Sequence, residues 1–276
     1  MRVSCKHDEA GLVLCTYGPV NKGRQMTHLI RNQPAVGMLI AILLGLTSTT
    51  YAQSSSDDSR WSAEVAIGWD NGLTGNVNSS GIGSLQNQVV VITSNSYNDV
   101  YGAGLHLRFG GGYMISQDTE ARVTFTFQSL DADFVTPMGD IGVSNLYGQF
   151  TDYQTFGVDF GLRRYGQLTP KLRAYGEGTI GLGFVDKIDV ALVAPGANLV
   201  GQANDFYDQT SAFTLGANVG LLVQTGERFG FFGQLGLRWV SGLSEVDDLV
   251  GTGLDNINDK SSRWTLPFIG GVRVQF

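Results

Sequence analysis

The sequence predicts an all-β chain, an eight-stranded antiparallel up-and-down barrel, and three observations lead to that prediction. Apolar residues recur with a period of two in eight segments, the connections between segments alternate between short and long, and the last segment ends on Phe276. A period of two is typical of an extended strand with one apolar face. After residue 52, no segment has a sustained helical period.

The first 52 residues are expected to be absent from the mature protein. After Met26 comes a positive charge, then an unbroken run of apolar residues and glycine at 35–46, then small residues before a junction that follows Ala52. This pattern predicts a secretory signal peptide at residues 26–52. A retained membrane anchor is the alternative, although a membrane-spanning helix needs about 20 apolar residues.

Residues 1–25 lie upstream of that signal, so we interpret them as an over-extended gene start without a fold; Met1 and Met26 both remain candidate translation starts. Both cysteines, Cys5 and Cys15, fall in this segment. The predicted mature chain, residues 53–276, therefore contains no thiol for a disulfide or a thiolate metal site. We interpret all of 53–276 as one barrel domain.

The charge of the chain argues against nucleic-acid binding. The full sequence has 25 acidic and 18 basic residues and a net charge of -7. Removing residues 1–52 takes away two acidic and five basic residues, which leaves 23 acidic and 13 basic residues, a net charge of about -10. A surface this acidic repels phosphate backbones.

Each predicted strand alternates large apolar residues with glycine, polar or charged residues. The eight segments are residues 60–70, 100–113, 120–128, 155–163, 172–184, 213–223, 229–243 and 264–276. The second and third, fourth and fifth, and sixth and seventh are joined by tight turns of Gly, Pro, Ser, Thr and Asp chemistry. The other links, about 71–99, 131–149, 186–209 and 244–261, are long.

An even strand count, with both ends of the barrel on the short-turn side, is typical of a transmembrane barrel of the bacterial outer membrane. Its short turns face the periplasm and its long loops face the exterior. Aromatic residues on the apolar parity should then mark the two membrane interfaces. These predicted interface residues are Trp61, Trp69, Tyr101, Tyr113, Phe184, Phe229, Trp239, Trp264 and Phe276.

The opposite parity should face the barrel interior, which in an eight-stranded barrel is only wide enough for side chains to fill. We predict a polar plug of ion pairs and water, because an isolated buried charge is very costly. Expected pairs are Glu64 with Arg273, and Glu177 and Asp159 with Arg108 or Arg163. A narrow ion pathway gated by these pairs is the alternative. The predicted interior cluster is Glu64, His106, Arg108, Glu120, Arg122, Asp159, Arg163, Arg173, Glu177, Arg238 and Arg273.

These features together resemble the small outer-membrane β-barrel family, typified by the transmembrane domain of outer membrane protein A and by the opacity proteins. The resemblance covers residues 60–276 and is architectural. It implies a monomer in the outer membrane, in contact with membrane lipids and lipopolysaccharide and inserted by the barrel-assembly machinery through its last strand. It also implies a role in envelope integrity, surface interaction or slow passage of small solutes. Because the sequence ends on that strand, no separate periplasmic domain is expected.

The predicted loops are rich in Asp and Glu, with Lys187 and Lys260 as their only lysines. Such loops are a candidate surface for an extracellular ligand or a hard cation, and residues 245–259 are the densest acidic stretch. Their spacing does not match an EF-hand, and a solvated acidic rim is the preferred interpretation. The Gly/Ser/Asn-rich start of the first loop is expected to be flexible, whereas residues 89–93 could extend a hairpin.

Two alternatives differ in class from a membrane scaffold. A secreted lipocalin-like barrel would place its apolar residues inside. An outer-membrane lipid hydrolase would need a serine and a histidine base, but His106, the one histidine of the predicted mature chain, has interior parity. We therefore predict a non-enzyme with no catalytic residue, cofactor or resident metal.

Overall fold

The computed structural model describes residues 2–7, 13–18, 60–246, 252–258 and 261–276. The chain divides into two units, Met1–Ser56 and Asp57–Phe276. In the first unit, β1 (Arg2–His7) pairs antiparallel with β2 (Val13–Gly18), although no fold was expected there. Both segments contain valine, and the second also contains threonine and tyrosine, residues that favour strands. The predicted signal peptide, residues 26–52, lies outside the described residues.

The second unit contains a closed barrel of eight antiparallel strands, which confirms the predicted fold class. Each barrel strand pairs with the barrel strands before and after it in the chain, and the last strand pairs with the first. The strands are β3 (Trp61–Thr74), β8 (Gly104–Met114), β9 (Thr119–Leu130), β12 (Tyr153–Thr169), β13 (Leu172–Val185), β16 (Thr210–Gln224), β17 (Phe229–Val240) and β18 (Arg263–Gln275).

The first and last barrel strands meet at the short-turn edge of the barrel. The Trp61 amide donates to the Phe276 carbonyl at 3.1 Å, and the Phe276 amide donates to the Trp61 carbonyl at 3.0 Å. Closure leaves the barrel without a free strand edge. A sheet in a lipid bilayer must be closed in this way, because no water is present there to satisfy the backbone groups of an open edge. Among the described residues, no helix is long and apolar enough to cross a bilayer.

The long loops fold into a second layer above the barrel instead of forming irregular loops. Six strands pair in the order β15-β14-β11-β10-β6-β5. They are β5 (Gly81–Leu85), β6 (Gln88–Ile92), β10 (Thr136–Ile141), β11 (Ser144–Phe150), β14 (Ile188–Ala194) and β15 (Leu199–Tyr207). The β5–β6 hairpin confirms that residues 89–93 extend a hairpin. Its first strand, β5, lies in the segment that was expected to be flexible. A small pair, β4 (Asn76–Asn78) and β7 (Asn95–Ser96), and a one-turn helix, α1 (Tyr97–Val100), complete the first loop.

The described part of the last long loop contacts both edges of this six-stranded sheet. At the β15 edge, Tyr207 forms a β-bridge with Glu245. At the β5 edge, the Ser84 amide donates to the Thr252 carbonyl at 2.7 Å. We call the six strands, β4, β7, α1 and residues 244–246 and 252–258 the outer cap. Its two edges are thereby covered by the chain itself, which removes sites for pairing with another chain.

The outer cap has its own apolar core, which rests on the outer end of the barrel. Cap residues such as Ile92, Met138 and Leu146 are at most 1% exposed. They belong to one cluster with Tyr153 and Val240, which belong to barrel strands. The cap is therefore packed onto the barrel mouth.

Candidate functional site: the barrel interior

The interior of the lower barrel holds a network of buried charges. Glu64, on β3, accepts hydrogen bonds from Arg163 Nη1 at 2.6 Å, Arg122 Nη1 at 2.9 Å and Arg273 Nη1 at 2.9 Å. All four side chains are at most 3% exposed. The expected Glu64–Arg273 pair is present because β3 and β18 place these residues directly opposite each other.

Two more glutamates complete this network. Glu120 accepts from both terminal nitrogens of Arg273 at 2.8 Å, and from the Ser62 hydroxyl. Glu177 accepts from Arg163 Nε at 2.7 Å and from Arg108 Nη2 at 3.1 Å. Each carboxylate thus faces several guanidinium groups, which is how a low-dielectric interior tolerates charge. We refer to Glu64, Glu120, Glu177, Arg108, Arg122, Arg163 and Arg273 as the lower cluster.

Glycines on the same parity leave room for these long side chains. A Cβ added to Gly112 would collide with the Glu120 carboxylate. The alternation of glycine with charge along the inward parity therefore reflects packing volume as well as strand curvature.

Aromatic and apolar side chains close the lower cluster on its periplasmic side. Tyr165, Tyr175, Leu222 and Phe232 are each at most 5% exposed and belong to one buried group. The Arg163 guanidinium lies 4.1 Å from the centre of the Tyr175 ring, a cation–π distance. Arg173, predicted to be interior, is only half-buried at this mouth, where it stacks on Tyr165 at 4.3 Å. The charged network therefore has a floor.

The middle of the barrel contains a separate pair. Asp159 pairs with Arg238 at 3.4 Å and accepts from the Thr214 hydroxyl at 2.7 Å. The expectation that Asp159 would pair with Arg108 or Arg163 is therefore wrong. Asp159 lies nearer the outer end than Glu177, because β12 and β13 pair it with Gly181 and pair Glu177 with Arg163. The depth along the strand decides the partner.

His106 lies inside the barrel and is 3% exposed. Its Nδ1 is 3.8 Å from Asp70 Oδ2, beyond hydrogen-bond distance. A hydrolase acting on lipid would need its histidine on the lipid face near the outer edge. The position of His106 therefore gives no support to lipid hydrolysis.

The outer end of the interior contains charged residues that the sequence analysis missed. Arg263 donates to Gln128 Oε1 at 3.0 Å, and Asp70 accepts from Gln128 Nε2 at 2.7 Å. The Arg263 guanidinium lies 3.9 Å from the Tyr153 ring centre and 4.9 Å from that of Tyr97. Asp70 and Arg263 lie on the inward-facing parity of β3 and β18, beyond the residues that we assigned to the interior. Continuing the alternation to the outer ends of these strands would have identified both.

The aromatics predicted for the membrane interfaces are exposed or half-buried, with one exception. Trp61, Trp69, Phe184, Phe229, Trp264 and Phe276 are 42–60% exposed, and Tyr113 and Trp239 are half-buried. Tyr101, however, is 3% exposed and stacks on Tyr97 in the cap core at 6.1 Å. The outward assignment of Tyr101 is wrong because β8 begins only at Gly104, so the alternation does not extend to residue 101.

The acidic loop residues are spread over the cap surface. Asp131 is largely exposed, but the part of its carboxyl that loses contact with solvent raises its pKa above the usual range. The negative charge of Asp152 nearby raises this pKa further. Lys187 contacts Asp189 at 3.3 Å and Asp205 at 3.4 Å, and hydrogen bonds to them raise the pKa of its ammonium. Within residues 60–246, 252–258 and 261–276, no three His, Cys, Asp or Glu side chains converge as metal ligands. Asp247, Asp248 and Asp259 lie outside the described residues.

Comparison with known proteins gives a likeness of fold only. No family model matches the chain, and no curated protein matches it. Neisserial surface protein A has 12% identity and a TM-score of 0.43, covering 80% of this chain and 100% of that one. The outer membrane protein OprG from Pseudomonas aeruginosa has 11% identity and a TM-score of 0.40, covering 79% and 96%. Ail from Yersinia pestis, solved with a heparin analogue, has 12% identity and a TM-score of 0.36, covering 79% and 99%.

The two faces of the barrel wall indicate which medium surrounds the barrel. Large apolar residues on the outer parity, such as Ile67, Phe160 and Leu162, are 58–60% exposed, while the inward parity holds the buried charges. A water-soluble barrel would reverse these faces, and an apolar band between two aromatic belts fits a bilayer. The chain is a small eight-stranded transmembrane β-barrel of the outer membrane, with short turns at one end and a folded cap at the other.

Proposed function

We propose that this protein is a plugged, non-enzymatic scaffold that presents a folded cap at the cell surface. One observation carries the proposal: the apolar core of the cap is packed directly on the outer mouth of a barrel whose interior is already filled. Tyr153, which is 1% exposed, belongs to both the barrel wall and this core. An ion crossing here would have to pass a dry apolar layer, where its desolvation is very costly.

The polar interior below the cap supports the same proposal. Its ion pairs include contacts of 2.6–3.4 Å, and the cavity beside His106 and Arg238 has a volume of about 30 Å³. A cavity of that size has room for only a few water molecules. A continuous water-filled path would need a much larger space.

A narrow pathway for ions or small solutes is the second candidate. The observation in its favour is the string of polar side chains from Glu120 through Asp159 to Asp70, all inside the barrel. The floor of Tyr175 and Phe232 and the apolar cap core oppose it. Conduction would require both layers to open.

A surface-interaction role is supported by an apolar patch on the outer face of the cap. Ile82 and Val91 lie directly opposite each other on β5 and β6. They are 69% and 41% exposed, and Val89 and Val143 nearby are 63% and 105% exposed. An exposed apolar patch rimmed by polar residues is typical of an interaction surface.

Single-channel recording in a planar bilayer tests the plugged state. We expect the full chain to insert without discrete openings, and the Glu177→Gln variant to remain silent. The Arg164→Gln variant, at an exposed position, is the matched control. Discrete openings of the wild-type protein that change with Glu177→Gln but not with Arg164→Gln would establish the pathway instead.

Cysteine labelling on intact cells tests the cap. We expect a membrane-impermeant maleimide to label a Val143→Cys variant on intact cells. A Gly226→Cys variant, in a short turn, should react only after the outer membrane is permeabilised. The reverse pattern would contradict the proposed orientation and the surface role.

A further inference from the structure

The interior of the described barrel contains one more buried cation than buried anions. Six arginines and five carboxylates there are at most 8% exposed. The arginines are Arg108, Arg122, Arg163, Arg238, Arg263 and Arg273, and the acids are Glu64, Asp70, Glu120, Asp159 and Glu177. Arg173 is half-buried at the periplasmic mouth, where solvent screens it, so it is left out of this comparison.

The excess positive charge belongs to the lower cluster. Asp159 balances Arg238 in the middle of the barrel, and Asp70 balances Arg263 through Gln128 at the outer end. The lower cluster has four arginines but only three glutamates. Arg108 borders the middle layer, since its strand position is opposite Thr126.

A cavity lies at this boundary. It has a volume of about 30 Å³, and its polar lining includes Arg108, Arg238, Thr126, His106 and the carboxylate of Asp159, which pairs with Arg238. The amides of Asn218 and Gln234 also line it. Arg108 Nε and the Thr126 hydroxyl are buried and have no hydrogen-bond partner among the described residues. A Cβ added to Gly157 would collide with that hydroxyl and stand 3.3 Å from Arg238 Nη2. Two side chains that line the space, Arg108 and Thr126, therefore each have a buried donor without a partner.

We propose that this cavity is a binding site for one small monovalent anion of the size of chloride, held between Arg108 and Arg238. One such ion cancels the excess charge of the lower cluster. It also accepts hydrogen bonds from Arg108 Nε and the Thr126 hydroxyl, two of the buried donors that have no partner among the described residues. Because a buried charge without a counter-charge is costly, the proposed ion would bind the folded state and stabilise it.

Size and charge select this class of ligand. Water could satisfy the donors but would leave the excess charge uncompensated. A phosphate or sulfate brings four oxygens and two charges, which the volume and the single excess charge do not fit. A metal cation would meet two guanidinium groups and only one nearby carboxylate, that of Asp159.

Anomalous diffraction from the full protein crystallised with bromide in place of chloride tests occupancy directly. We expect one bromide peak within hydrogen-bond distance of Arg108 or Arg238 and the Thr126 hydroxyl. Water density without an anomalous peak in that cavity would overturn the proposal. This measurement needs no variant, so it does not depend on the folding of a mutant.

Equilibrium unfolding in lipid vesicles tests the linkage to stability. Chloride is varied against gluconate, which is too large for the cavity, at constant ionic strength. For one site that is occupied only in the folded state, a tenfold rise in chloride above the dissociation constant raises the ratio of folded to unfolded protein about tenfold. A ratio that does not respond to chloride would contradict the proposal.

Gln234→Glu is the informative variant because it places a carboxylate in the cavity. Gln234 Oε1 accepts from the Tyr175 hydroxyl at 3.1 Å, and a glutamate oxygen can still accept that bond. We expect the chloride dependence to disappear in this variant. Arg164→Gln removes an arginine from an exposed pair and should keep the full dependence. If unfolding depended equally on chloride in both variants, the effect would arise at the protein surface, and the proposed site would be wrong. This outcome is independent of whether the barrel conducts ions.

Discussion

In the membrane barrel most large apolar side chains point outward, whereas in the outer cap many of them point inward and form a core. Phe160 on the barrel is 58% exposed, and Leu146 on the cap is 0% exposed. The two regions belong to one continuous chain, and several barrel strands pass into cap strands after short breaks, as between β11 and β12. The comparison teaches that alternation defines two faces, while the surrounding medium decides which face becomes the core.

The two regions also differ in how they fill their centres. The barrel centre is held by ion pairs, so each of its side chains depends on several partners. The cap centre is held by apolar contact, which tolerates changes of shape more readily. Substitutions matched between the regions therefore separate the two kinds of stabilisation.

Removal of a buried carboxylate should have the largest effect. Glu64→Ala leaves four buried arginines around an empty position, and we expect a loss of about 3–5 kcal/mol in the free energy of unfolding. Asp118→Ala breaks the exposed pair with Arg164 at 3.2 Å, and a fully exposed pair of this kind contributes little to stability because solvent screens it. Denaturant titration in lipid vesicles measures both. Similar losses would mean that burial does not strengthen the barrel pairs.

Truncation of a leucine should distinguish the two apolar surfaces. Leu146→Ala opens a cavity in the cap core and should cost about 2–5 kcal/mol. Leu215→Ala removes the same atoms from the lipid-facing side, where the residue is 44% exposed, and lipid can fill the space. Protease cleavage of the cap, followed by mass spectrometry, measures the first effect. If both variants were equally resistant, the cap core would not be a structural unit.

A charge placed on the outer parity should be tolerated in one region only. Phe160→Arg puts a cation on the lipid face and should cost about 2–4 kcal/mol if it lies at the bilayer midplane. Asn145→Arg lies on the exposed face of the cap, where the cation stays hydrated. Unfolding in vesicles gives both values, and an equal cost would argue that Phe160 does not face lipid.

The smallest effect is expected at α1 and depends on pH. The Ser96 hydroxyl and amide donate to Asp99 at 2.7 and 2.8 Å, and these bonds lower the pKa of its carboxyl. A lowered pKa in the folded state means stabilisation that is present above the unfolded value, about 3.9, and is lost as the pH falls through the folded value. Hydrogen exchange of the α1 amides measures this local stability.

The matched variant for that measurement is Asp99→Asn. Because the residue is exposed, we expect the variant to lower local stability by at most about 1 kcal/mol at neutral pH. It should also remove the acid-dependent part of the exchange. The same pH profile in both proteins would show that Asp99 is not the titrating group.

Much of the barrel could be predicted because the pattern that encodes it is local. The alternation around Glu64 and Arg273 defined their strands, their inward parity and their mutual contact. The partner of Asp159 could not be predicted, because several inward arginines share its parity and only the strand register gives their depth. The prediction that Tyr101 faces lipid was wrong because the alternation was extended to residues that precede the start of β8 at Gly104.

The cap could be predicted only in part. Residues 89–93 stood out as a β-favouring run, but the alternating segment Ile188–Ala194 was left in a loop. Neither segment indicates its partners, because β6 pairs with β10 and β14 with β11 across links of more than thirty residues. Contacts between distant segments leave no local signature.

By itself, the sequence determined the number of barrel strands and their two faces, since each follows from residues near one another in the chain. Only the tertiary structure decided that the long loops form a cap and that the last loop contacts both edges of the six-stranded sheet. It also decided that the barrel interior contains one more buried arginine than buried carboxylates. Those properties depend on which distant side chains share one small volume, and strand closure and register control that volume.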